Sequence, residues 1–268
     1  MNFLVPQILA AEKHFIIAYK PPKMHSVPIK KSLKGEYGPA RVLDEDSGKT
    51  LLDFCGEEFP ETTNLPGRKE GEGGLLHRLD YETHGLMLAA RTLTGMKSLL
   101  EQQQGGNIIK EYSAISFPVK SIPSGFPAEK PMYQFTEGMF PVKISSAFRP
   151  FGKGRKAIRP VPVNDTGKHK NKEIVFDGTK PYVTEILEIG FEPGINYIRI
   201  KIYKGFRHQI RCHLAWLGMP ILNDGLYGGE SFGKTMLALR STSISFNDPV
   251  SGKNRRYSIN PIDLNDLL

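Results

Sequence analysis

Gly74 to Arg91 reads GLLHRLDYETHGLMLAAR, two apolar runs on either side of a short charged turn. Leu75-Leu76 enters as an extended segment, and Gly85 to Arg91 leaves as a buried strand. Between them an apolar strand delivers a carboxylate, Asp80, to the start of a turn, with Arg78 two residues earlier. On an extended chain residues i and i+2 point the same way, so Arg78 and Asp80 can share a face. An aspartate after a strand is ordinarily a turn or capping residue. It takes on chemical meaning only if a second cation holds it ionised at a dry site.

Such a cation is available in Lys204 to Leu214, KGFRHQIRCHL, which follows a strand and a glycine. The composition predicts a helix over Arg207–Leu217, stopped by Gly218 with Pro220 beyond, and the i, i+4 spacing puts Arg207 and Arg211 on one helical face. His208 and Cys212 also lie four apart, but no second pair with metal-ligand spacing accompanies them, so no metal is expected. The glycines at 71, 73 and 74 lack the Gly-Lys-Ser/Thr of a phosphate loop, and no Gly-x-Ser-x-Gly elbow occurs. After the helix, LNDGLYGG (222–229) reads as a loop that packs Tyr227. Tyr112, in Lys110-Glu111-Tyr112, reads as a strand aromatic.

Farther out, His14–Lys20 is a short strand ended by Pro21-Pro22. Residues 23–74 read as irregular with one helix near 49–58. Thr92–Gln104 is helical with a Gly105-Gly106 stop. Lys110–Phe117, Tyr182–Ile189 and Tyr197–Tyr203 alternate as strands, and Ser241–Phe246 with Arg255–Ile259 make a terminal hairpin around Asn247-Asp248-Pro249. Strands with a few helices give an α+β class.

The 268 residues, 39% hydrophobic and 24% charged, suffice for one large domain and exclude disorder or coiled coil over the whole chain. No run approaches a membrane span, and the opening MNFLVPQILA does not read as a secretory signal. Two cysteines, Cys55 and Cys212, suit reduced thiols in a cytoplasmic protein. The net charge of +8 favours polyanion partners. It is concentrated: residues 141–180 carry ten Lys or Arg against three Asp or Glu, a local +7. There FRPFGKGRKAIRP sets Phe148 and Phe151 among cations on a turn-rich stretch, a composition suited to stacking on bases and contacting phosphates.

Taken together and in this order, these stretches resemble the RluA-type pseudouridine synthases. The resemblance runs from about His14 to Phe246 and rests on HRLDYETHGLMLAAR and GFRHQIRCHLAWLGMPILNDGLYGG, supported by YKPPKMHSVP and KEYSAI. The family patterns are H-R-L-D-x-x-T-S-G-L-L and G-R-T-H-Q-I-R-x-H-L, followed by G-x-P-I-x-G-D-x-x-Y-G. The resemblance implies a single catalytic domain over 1–268: a mixed, mostly antiparallel central sheet with flanking helices and loops around a central cleft. It implies isomerisation of uridine in structured RNA, ribosomal favoured and transfer RNA the other candidate, by a monomer needing no cofactor. The aspartate of H-R-L-D, here Asp80, is the family's catalytic residue. Tyr112 matches the pocket tyrosine, and Arg211 the arginine that pairs with the aspartate. Arg78 matches the arginine that fills the space left by the flipped base, with His77, Arg207 and His208 as further RNA contacts.

Three departures stand out: His84 where the family has Ser, Phe206-Arg207 where it has Arg-Thr, and Asn223 where it has Gly. Phe206 and Arg207 are therefore expected to influence RNA preference. No S4-like RNA-binding domain is expected before His14. The basic segment around 141–180 reads as an RNA-gripping insertion carried by Lys153, Arg155, Lys156 and Arg159. The chief rival is an RNA-binding or ribosome-assembly factor on the same fold without turnover. A carboxylate glycosidase would need a second acid near Asp80, for which Glu82 is the candidate in sequence.

Overall fold

The computed structural model describes residues 4–35, 38–43, 48–119, 122–127, 138–162, 180–233 and 236–268. They fall into two compact units, one of residues up to Ile108 with Ser243–Ile259, the other of Ile109–Thr242 with Asn260–Leu268. No helix among the described residues is long and apolar enough to cross a membrane.

The first unit holds β1 (Gln7–Ala11), β2 (Phe15–Lys20), a β3–β4 hairpin (Lys30–Gly35, Gly38–Leu43), α1 (Leu51–Glu58), β5 (His84–Ala90) and α2 (Leu93–Gly105). Its sheet order continues β1-β2-β5 into β11 (Leu239–Asn247) and β12 (Asn254–Ser258), and the pairs β1–β2, β2–β5 and β11–β12 are antiparallel. Every residue of β2 and β5 is buried, which accounts for continuous apolar runs in place of alternation. Phe15, Ile17, Leu86, Leu88, Met96, Leu99, Ile244 and Phe246 form the core, with Phe15 edge-on to Phe246 at 4.9 Å.

Helix ends follow their capping chemistry. Thr50 and Asp53 form a reciprocal capping box on α1. Thr92 Oγ1 accepts from Gly95 N at the start of α2, and Gly106 closes it in the left-handed region at φ 75°.

The second unit is an antiparallel sheet in the order β6-β10-β9-β7-β8: β6 (Ile109–Ser116), β7 (Val142–Phe151), β8 (Ala157–Val161), β9 (Tyr182–Glu192) and β10 (Ile195–Ile202). Helix α3 (Gln209–Trp216) is buried at all eight positions, as a helix in the interior of a unit must be.

The α+β class is borne out, as are the strands expected after His14, Gly85, Lys110, Tyr182 and Tyr197 and the terminal hairpin. Three expectations are corrected. The stretch around FRPFGKGRKAIRP is a β-hairpin, with Arg149 opposite Arg159 and only Gly152–Lys156 turning. Phe148 is fully buried, because it points to the inner face of β7, so its ring is unavailable to a base. Helix α3 starts at Gln209, so Arg207 precedes it and does not share a helical face with Arg211. Residues 163–179, with Lys168, Lys170 and Lys172 of the basic segment, lie outside the described residues.

Candidate active site

The turn carrying Asp80 is built from the backbone outward. Gly74 donates its N–H to the Thr62 carbonyl and accepts from Ala90 N. A Cβ at that position would collide with the Ala90 carbonyl oxygen, so glycine alone lets the HRLD segment leave the sheet this closely. Leu79 is tied twice to Ser26, whose Oγ accepts from Leu79 N at 3.1 Å and donates to Leu79 O at 2.9 Å. Asp80 O accepts from Thr83 N, closing the turn. Asp80 itself is half-buried and Arg78 exposed.

The cation within this unit is Lys20, the last residue of β2. Its side chain is fully buried, and Nζ donates to the carbonyls of Pro21 (2.9 Å), Met24 (2.8 Å) and Tyr81 (3.2 Å). Three acceptors satisfy the three protons of an ammonium, as a buried charge requires. Burial pulls Lys20 down to about 7, and the Asp80 carboxylate acts the other way. Asp80→Asn removes that support, so the folded-state value of Lys20 drops further below the 10.5 of an unperturbed lysine. The proton is then held even less well by the folded chain than by the unfolded one. Asp80→Asn is therefore expected to lose stability relative to wild type as the pH falls below about 7, with the deficit closing on the alkaline side. Melting temperatures at about pH 5.5 and 8.5 check this; an equal deficit at both would contradict it.

Around this turn, Arg78 Nε meets Glu72 Oε1 at 3.4 Å, and the same buried carboxylate meets Arg68 Nε at 3.4 Å. The His77 ring is buried, and its Nε2 accepts from Leu88 N. His84, the bulkier group in place of Ser, lies fully buried on β5.

In the second unit, Arg211 on α3 donates through Nε and Nη2 to both carboxylate oxygens of Asp224, each at 2.7 Å. Its guanidinium also lies over the Tyr227 ring. Both charges are buried, 5% and 0% exposed, so the pair depends on this two-pronged geometry. Tyr227 hydroxyl accepts from Ile158 N at 2.9 Å and meets His208 Nδ1 at 3.2 Å, and burial drives its phenol well above the ordinary range. One network thus joins His208, Tyr227, Arg211 and Asp224. Tyr112 is buried on β6, opposite Ile200 of β10.

The departures in the second family pattern each find a local partner. Phe206 stacks on Phe148 at 5.2 Å with parallel rings and touches Tyr182 at 5.1 Å. Arg207 Nη2 donates to the carbonyls of Arg155 and Ala157, bracing the basic hairpin tip. Asn223 adopts φ 64°, a left-handed conformation that asparagine tolerates after glycine best. Its side chain bonds Phe232 N, Phe232 O and Met236 O.

At the tip, Lys153, Arg155 and Lys156 are exposed, whereas Arg159 is half-buried with Nη1 on the Gly125 carbonyl. Cys212 Sγ faces the Ile158 carbonyl. Among the described residues no group of three or more His, Cys, Asp or Glu is placed to hold a metal ion.

A family model described as RNA pseudouridylate synthase matches residues 14–216, a span containing every site residue named above except Asn223, Asp224 and Tyr227. The chain belongs to the RNA pseudouridylate synthase family. Within it the chain is of the RluA type. It is 28% identical over 181 residues to ribosomal large subunit pseudouridine synthase D of Pseudomonas aeruginosa, covering 68% of this chain and 45% of that protein. To the Escherichia coli K12 protein of the same name it is 24% identical over 217 residues, covering 76% and 55%. The chain thus spans about half the length of these curated relatives. Among solved structures, human RNA pseudouridylate synthase domain containing 1 superposes with a TM-score of 0.58 at 18% identity, covering 97% of this chain and 85% of that one. Human domain containing 4 gives 0.53 at 15% identity, covering 95% and 88%. These two likenesses establish the fold.

Sequence reasoning about this family member missed Lys20, Glu72 and Asp224. Lys20 had a signal, a lysine closing an all-apolar strand before two prolines. Asp224 had one as the aspartate of the G-x-P-I-x-G-D pattern, but nothing in that pattern pairs it with Arg211, 13 residues away across a helix end.

Proposed function

We propose that this chain is an RNA pseudouridine synthase that isomerises uridine in structured RNA, ribosomal RNA in the first place, through Asp80. In that reaction the bond from ribose C1′ to uracil N1 breaks, a bond from C1′ to C5 forms, C5 gives up its proton and N1 gains one. Atoms are conserved and nothing is oxidised. An ionised carboxylate beside C1′ supplies the nucleophile or the electrostatic stabilisation that the departing base requires. Tyr112 lines the uracil pocket, Arg211 completes the catalytic set, and Arg78 occupies the gap left by the flipped base.

The observation that carries this reading is the pinning of the Asp80 turn by Ser26 and by the buried ammonium of Lys20. A surface turn with no chemistry needs no buried cation beside its carboxylate. Family membership and relatives named for ribosomal large subunit modification support ribosomal RNA. The direct test is to incubate the protein with an unmodified ribosomal RNA transcript, digest to nucleosides and measure pseudouridine by mass spectrometry. Its appearance supports the reading, and its absence from ribosomal and transfer RNA alike overturns it.

The hairpin tip supplies the RNA grip. Lys153, Arg155 and Lys156 project from one turn, and Arg207 braces that turn from behind. Reversing all three to Glu is expected to weaken RNA binding and to flatten the dependence of log affinity on log salt by about 2, at roughly 0.7–0.9 per lost phosphate contact. A fluorescence-anisotropy salt titration reads both. Unchanged affinity and slope would remove the tip from the interface.

A further inference from the structure

Directly after Asp80 stands Tyr81, a large aromatic side chain that is 45% exposed. Its ring lies against His25, with centroids 4.5 Å apart and planes tilted by 34°. His25 belongs to the Pro21–Ser26 segment, which also holds the turn through Ser26 on Leu79, while Lys20 reaches the Tyr81 carbonyl itself. The ring is therefore fixed at its own backbone and at its neighbour's, and backed by imidazole over part of its surface. Two exposed cations stand close by in the chain: Lys23, two residues before His25, and Arg78, three before Tyr81.

Core packing does not explain a half-open ring on a pinned turn. An aromatic platform among cations is what a single-stranded nucleic acid uses, since every base has a face to stack and every nucleotide a phosphate. The ring's preorganisation keeps the entropic cost of using it low. Extrusion of a uridine toward Asp80 leaves the next base without its stacking partner, and a ring one residue from Asp80 can replace that partner.

Resting on the reading of Asp80 as the catalytic carboxylate, we propose that Tyr81, backed by His25, is a stacking platform for an unpaired nucleobase adjacent to the target uridine. The RNA is accordingly recognised where the target's neighbour is unpaired, in a loop or bulge rather than within a continuous helix.

The test uses the full chain and two probes, a uridine heptamer and a blunt RNA duplex of about twelve base pairs, with binding read by anisotropy. A base–aromatic stack contributes about 1–3 kcal/mol, so Tyr81→Ala and Tyr81→Leu are expected to bind the heptamer about tenfold or more weakly. Tyr81→Phe keeps the ring and is expected to stay within about twofold of wild type. Duplex affinity is expected to be the same for all four proteins. Because the ring is half-open, melting temperatures of the variants should match wild type, and the Phe rescue separates stacking from any structural loss. Three results would overturn the platform: equal heptamer binding by Tyr81→Ala and Tyr81→Phe, equal weakening on heptamer and duplex, or no measurable heptamer binding by wild type. A protein that fails to make pseudouridine but passes this binding test would sink the catalytic reading and leave the platform standing.

Discussion

Asp80→Asn is expected to reduce uridine isomerisation by at least about a thousandfold, with RNA affinity close to wild type. The estimate follows from the proposed role: removing one preorganised charge from a developing transition state costs about 10²–10³, and removing a nucleophile costs more. The substitution conserves shape. The Leu79–Ser26 hydrogen bonds and the Thr83 N to Asp80 O turn do not involve the carboxylate, so the turn should persist. The stability deficit expected at acid pH provides an internal check that the variant is folded under assay conditions. Turnover within tenfold of wild type would end the assignment of Asp80, since neither role tolerates loss of the charge.

The second large effect lies in the other unit. Asp224→Ala is expected to destabilise the protein by about 3–5 kcal/mol, because it leaves the Arg211 guanidinium buried without its bidentate partner. In a chain of this size that lowers the melting temperature by on the order of 10 °C. The double replacement Arg211→Met/Asp224→Leu removes both charges and should recover most of the loss, since two well-packed apolar groups substitute for a buried pair at little cost. Differential scanning calorimetry of Arg211→Met, Asp224→Leu and the double variant closes the cycle, with Asp224→Ala alongside. If Asp224→Ala melted within 2 °C or so of wild type, the pair would be solvated in solution and could not hold Arg211 for catalysis. A double variant that is stable yet inactive would separate Arg211's part in the reaction from its part in the fold.

Elements defined by local signals were legible in the sequence. The apolar runs within HFIIAYK (14–20) and GLMLAAR (85–91) gave buried strands, and Thr92 with Gly105-Gly106 bounded α2. The β7–β8 hairpin was obscured by Pro150 and Pro160, which discourage a strand assignment. In the structure Pro160 lies on β8, at the edge of its sheet, and Pro150 lies on a part of β7 beyond the residues that pair with β9, so neither has to supply a hydrogen bond on both sides. Phe148 and Phe206 show a different limit. Composition marked Phe148, and departure from the family pattern marked Phe206, as candidate RNA contacts, whereas the pleat and the start of α3 turn them onto each other. The motif residues His77, Arg78, Asp80 and Arg211 were readable because they recur in fixed order, yet what holds them was not. Ser26 lies 53 residues from Leu79 and Lys20 lies 61 from Tyr81, and contacts at that separation leave no periodicity to detect.

The measurement that bears most directly on the central claim is tritium release from ribosomal and transfer RNA labelled at uracil C5, with Asp80→Ala alongside wild type. Forming the C1′–C5 bond expels the label to water, so wild type is predicted to release tritium and Asp80→Ala to release none. Release by both proteins would contradict the role of Asp80. Release by neither, with tight and salt-dependent RNA binding retained, would contradict isomerisation itself and leave an RNA-binding protein on a synthase fold.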